Sequence, residues 1–81
     1  MKFEDLEFMD QTWTFEVPVT GKHVHQIFDT CSLTVSRNER LEGFSEGKYV
    51  VEVNHLDGRH EWLVLSPDEI TAKIAEIESV S

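Results

Sequence analysis

Two β-rich runs, Tyr49 to Leu56 and Arg59 to Leu65, flank the dipeptide Asp57-Gly58, and this arrangement constrains the chain more than any other feature. Asp-Gly suits a two-residue type I′ turn, which needs positive φ at both central positions and joins neighbouring antiparallel strands. A hairpin is therefore expected over residues 48–65. With a two-residue loop, Leu56 lies opposite Arg59, His55 opposite His60, Val53 opposite Trp62 and Val51 opposite Val64. That register gathers Tyr49, Val51, Val53, Trp62 and Val64 on one face.

Directly after the hairpin, Ser66-Pro67-Asp68-Glu69 combines an N-cap serine, a proline at the first helical position and a glutamate three residues after the cap. A helix is expected to begin here and run to about Ser79. Ile70, Ile74 and Ile77 form its buried stripe, Ala72 and Ala75 permit close approach, and Asp68 and Glu69 sit at the positive end of its dipole. The helix is expected to lie on the sheet.

Upstream, Cys31, Leu33 and Val35 alternate with Ser32, Thr34 and Ser36, the pattern of a strand with one polar face. Trp13, Phe15, Val17 and Val19 alternate with Thr12, Thr14, Glu16 and Pro18, which reads as a strand from Thr12 to Val19. Pro18 puts that strand at a sheet edge, and Thr20-Gly21 breaks it. Residues 22–30 fit a strand or a short helix behind Thr20, and the strand is preferred. Arg37 to Lys48, rich in charge and glycine, reads as an exposed connection with Phe44 as its anchor. Residues 1–11 follow neither periodicity and read as a loosely ordered acidic segment. The expected fold is α+β, a single small domain over residues 1–81. It is a small antiparallel β-sheet of about four strands with one C-terminal α-helix packed on it.

A chain of 81 residues buries only about 60% of the surface its unfolded form exposes. At roughly 0.05–0.15 kcal/mol per residue, its net stability is on the order of 4–12 kcal/mol.

Sixteen acidic against seven basic residues give a formal charge of −9, which repels phosphate backbones and anionic lipid surfaces and attracts a basic one. Direct nucleic-acid binding and membrane association are therefore not expected. The single cysteine, Cys31, has no partner for an internal disulfide, and its alternation with Leu33 and Val35 points to a buried, inert thiol. The opening residues lack the basic start and apolar run of a signal peptide, and no stretch approaches the ~20 apolar residues of a membrane span. A cytoplasmic location is expected.

No catalytic motif, phosphate loop or dinucleotide fingerprint is present, the four glycines being scattered singly, so neither an enzyme nor a cofactor-binding protein is expected. The glutamates at 39, 42, 46 and 52 have no spacing that fixes two of them as an acid–base pair. Four histidines are the candidate metal ligands. His23 and His25 share a strand face at i, i+2, and His55 and His60 face each other in the expected hairpin. No Cys-x-x-Cys or His-Glu-x-x-His spacing strengthens the case, and ordinary surface histidines are the simpler reading.

What remains is recognition by surface. Glu4, Asp5, Glu7 and Asp10, continued by Glu16 and by Glu69, Glu76 and Glu78 of the helix, offer carboxylates to a partner protein with a basic surface. The expected function is a small acidic binding or regulatory module that docks on another macromolecule. A sharper form is an inhibitor that mimics nucleic acid, of mobile-element or phage type, in the basic site of a nucleic-acid-handling protein. The edge strand from Thr12 to Val19 also makes a homodimer through strand pairing an expectation. A histidine-based metal-binding protein is the alternative from another class.

Overall fold

The computed structural model describes residues 1–13, 16, 19–38 and 47–80. A 3-10 turn (Phe3–Asp5) precedes five strands, β1 (Met9–Trp13), β2 (Val19–Ile27), β3 (Cys31–Asn38), β4 (Tyr49–His55) and β5 (His60–Leu65), and one helix, α1 (Pro67–Ser79). The strands form one antiparallel sheet in chain order, β1-β2-β3-β4-β5. The α+β class is as expected, with five strands in place of about four.

The additional strand comes from the N-terminal half. Trp13 pairs with Val19 and Met9 with His23, so the chain reverses within the stretch read as a single strand from Thr12 to Val19. An alternation of period two reports which face a residue takes and carries no information on where the chain folds back. Thr14, Phe15, Val17 and Pro18 lie outside the described residues. Thr20-Gly21, expected as a break, sits within β2. The strand at this edge is Met9–Trp13, which borders only β2 and shares only Thr12 and Trp13 with the strand expected there, whereas Val19 belongs to the interior strand β2. Residues 22–27 are strand, and the chain turns at 28–30. Arg37 and Asn38 prolong β3, whereas Phe44 and most of the expected connection lie outside the described residues. Residues 1–11, expected as a loose segment, contain the 3-10 turn, the buried Leu6 and the start of β1.

The β4–β5 hairpin has a different turn and register from those expected. The His55 amide donates to the Arg59 carbonyl at 2.9 Å and the Gly58 amide to the His55 carbonyl at 3.1 Å, leaving the three-residue loop Leu56, Asp57 and Gly58. Only Gly58 has positive φ, at 94°, as in a type I turn closed by a left-handed residue. The Asp57 carboxylate favours this form by accepting from the Arg59 amide (3.0 Å) and from Arg59 Nε (2.7 Å). The pairs are consequently Asn54 with His60, Val53 with Glu61, Glu52 with Trp62 and Val51 with Leu63. A one-residue slip exchanges the faces of a strand. Leu63, Leu65 and Glu61 therefore face the helix, and Trp62 and Val64 face away, 68% and 44% exposed.

The helix begins as expected. Ser66 Oγ accepts from the Glu69 amide (3.3 Å) while Glu69 Oε1 accepts from the Ser66 amide (3.1 Å), with Pro67 in the first turn. Ile70, Ile74 and Ile77 are buried against Val24, Leu33, Val35, Val51 and Val53. Cys31 belongs to the same core at 3% exposure. Phe3, Phe8 and Tyr49 pack ring to ring at centroid distances of 5.2–5.6 Å and fasten the N-terminal segment to the edge of that core. The helix covers one face of the sheet, and among the described residues nothing covers the other. Among the described residues no helix is long and apolar enough to cross a membrane.

Candidate functional site

On the helix side, the 3-10 turn lies against α1. The Phe3 amide donates to Thr71 Oγ1 at 3.0 Å, and the Met1 amino group is 2.9 Å from Glu78 Oε1. These contacts seat the turn that carries Glu4 and Asp5 against the flank of α1 that presents Thr71 and Glu78, while Asp68, Glu69 and Glu76 are exposed elsewhere on the helix. Asp10 and Glu16 lie elsewhere, Asp10 opposite Lys22 on the β1 edge and Glu16 exposed in the connection that follows.

Two of these acids also have structural work. Asp5 Oδ2 accepts from the Lys2 amide at 2.8 Å. Glu69 closes the capping box, and the Ser66 amide, with Lys48 nearby, holds its carboxyl below the usual range. Glu76 is exposed, its side chain 72% accessible and 3.9 Å from Lys73 Nζ. Lys73 is itself largely covered, since its ammonium also reaches Glu61 at 3.5 Å, so it neutralises little of the outer surface.

The histidines do not converge. His23, His25 and His60 occupy the open face of the sheet, and His55 occupies the helix face. His25 Nδ1 is 2.9 Å from Thr34 Oγ1, and His60 Nε2 is 3.2 Å from Glu52 Oε1. The expected pairing of His55 with His60 is replaced by that of Asn54 with His60. Among the described residues, no group of three or more His, Cys, Asp or Glu side chains is placed to hold a metal ion.

His55 instead meets Glu61, its Nε2 lying 2.6 Å from Oε2. This hydrogen bond, together with Lys73, keeps the Glu61 carboxyl below its ordinary range. The His55–Glu61–Lys73 chain lines a cavity of about 620 Å³ at one end of the sheet–helix interface, with Cys31 and Ile77 beside it. Cys31 stands opposite His55 in register, yet its 3% exposure suits packing better than attack on a substrate. Of the four glutamates weighed as acid–base partners, Glu52 is held by His60, and Glu39, Glu42 and Glu46 lie outside the described residues.

The apolar side chains on the open face of the sheet are a feature that the sequence pattern did not reveal. Met9, Ile27, Trp62 and Val64 project from it, from 44% to 72% exposed, around a floor of Ser32, Thr34 and Ser36 on the central strand. The Trp62 ring stacks on His60 with centroids 6.2 Å apart and planes 9° from parallel. Glu52 is the one carboxylate on this face among the described residues, and no lysine or arginine shares it. The signal for it was arithmetic, because one helix cannot cover both faces of a five-stranded sheet. Comparison of the chain with protein-family models, with curated proteins and with solved structures finds no match.

Proposed function

We propose that this protein is a small acidic binding module that docks on a macromolecular partner with a basic surface and does no chemistry of its own. The observation that carries the reading is the seating of the 3-10 turn against α1. It fixes the turn that carries Glu4 and Asp5 to the flank of the helix at Thr71 and Glu78. At a net charge of −9, such a chain speeds encounter with a positive partner and selects against negatively charged ones. A cytoplasmic site of action accords with the single, unpaired Cys31.

In its finer form, the partner is a nucleic-acid-handling protein, and the carboxylates take the place of phosphates in its basic groove. The high charge on so short a chain favours this form. The test is capture of partners from host lysate at low and high salt, with wild type and with a variant reversing Glu4, Asp5, Glu7 and Glu76 to lysine. A basic partner that is released by salt and lost with the variant supports docking through this surface. Retention by the variant with unchanged salt dependence removes the proposal. Competition with DNA or RNA for the captured protein separates the mimic from a simple acidic ligand.

A further inference from the structure

We infer that the open face of the sheet is a homodimer interface, on which a second copy of this chain packs face to face. The face is depleted of charge on a chain of net charge −9, and its prominent side chains are Trp62, Met9, Ile27 and Val64. Depletion of charged groups with enrichment of aromatic residues and methionine marks the centre of protein interfaces. A basic partner finds nothing to pair with here, because Glu52, the one carboxylate present among the described residues, already has His60 at 3.2 Å. Two copies repel wherever their carboxylates meet, which leaves this face as the surface on which they can approach. Each copy presents the other with the same neutral, part-apolar patch, as a two-fold contact requires.

The size is also suitable. Five strands about 4.8 Å apart make a face roughly 24 Å wide, and strands of this length run roughly 17–30 Å, giving a flat footprint on the order of 500–600 Å². Upright side chains raise the accessible area removed toward the ~800 Å² per partner of a standard interface. Sheets packed this way stand about 10 Å apart, which puts the two helices, and with them the two acidic surfaces, on the outside of a four-layer dimer. This contact is distinct from pairing of β1 edges, which would join the sheets side by side and leave Trp62 in water.

The test is sedimentation equilibrium of the full chain from about 1 μM to about 1 mM, a range that brackets an association free energy of roughly −4 to −8 kcal/mol. The expected mass rises to twice 9.4 kDa within that range. Association strengthens with added salt, opposite to capture of a basic partner, because screening relieves repulsion between like-charged copies. Trp62→Glu at the rim and Thr34→Arg at the centre each weaken the dimer at least about tenfold while circular dichroism and melting remain those of a folded chain. Thr34→Ser, which keeps the hydroxyl, leaves the dimer intact. A wild type that stays at 9.4 kDa throughout overturns the inference, even if the open face then proves to hold a different protein. A dimer that survives both disruptive substitutions, or weakens with salt, also overturns it.

Discussion

Glu61 on β5 lies 2.6 Å from His55 Nε2 through one carboxylate oxygen and 3.5 Å from Lys73 Nζ through the other, so a single side chain ties β4 to α1. Its carboxyl titrates below the ordinary glutamate range, first because of the hydrogen bond from His55 and then because of Lys73. A carboxyl depressed in the folded state stabilises that state at pH values above its unfolded pKa, ~4.3, and the contribution fades as pH falls through the lower folded value. Glu61→Gln is expected to reduce stability at neutral pH by about 0.5–1 kcal/mol, a modest figure because the carboxylate is partly solvated. Urea denaturation of both proteins from pH 7 down to pH 3 checks this. The gap between them should close in acid, and a constant gap would show that the loss is one of packing.

The core is small enough that one truncation should be felt across the whole fold. Ile74 is fully buried at the centre of the helix stripe, against the sheet. Ile74→Ala is expected to cost about 2–5 kcal/mol, a large part of the 4–12 kcal/mol typical of a chain this size. The urea midpoint measures it. A loss below about 1 kcal/mol would mean that the helix packs less tightly than its burial implies.

Ser66 provides a local test. Ser66→Ala removes the acceptor for the Glu69 amide and should lower stability by about 1 kcal/mol, or roughly 4–8 °C in melting temperature. Ser66→Asp should restore most of the loss, since its carboxylate accepts from the same amide. Calorimetry of the three proteins decides the matter.

At the β4–β5 turn, Gly58 has φ 94° and open space where a Cβ would go, so substitution meets backbone strain without a clash. Gly58→Ala is expected to cost about 1–3 kcal/mol, and Gly58→Asn less, because asparagine tolerates positive φ better. Equal losses in the two variants would point away from backbone strain.

The elements legible in the sequence were those whose cause is local. The start of α1 depends on four consecutive residues, Ser66 to Glu69, whose side chains and amides satisfy one another. β3 was legible because one of its faces is buried and the other is not, so Cys31, Leu33 and Val35 separate cleanly from Ser32, Thr34 and Ser36. β5 lacks that asymmetry. Trp62 and Val64 are as apolar as Leu63 and Leu65, so composition does not choose the inward face, and the choice falls to the extra residue that Leu56 adds to the turn. The acid groups of the candidate site were visible singly. The seating of the turn that carries Glu4 and Asp5 against α1 was not, because it depends on a hydrogen bond from Phe3 to Thr71 across a separation of 68 residues. The open face was hidden for a related reason, since it reflects how many layers cover the sheet and belongs to no single residue.

The order of the strands in the sheet bears on how the chain is made. Each strand pairs with the segment synthesised just before it, so the sheet can grow hairpin by hairpin as the polypeptide leaves the ribosome. The helix emerges after all five strands, and only then does the 3-10 turn, made first, acquire Thr71 as its partner. The turn that carries Glu4 and Asp5 thus reaches Thr71 and Glu78 only after the helix has been made. The contact between the turn and the helix therefore distinguishes a chain made through α1 from a shorter nascent one.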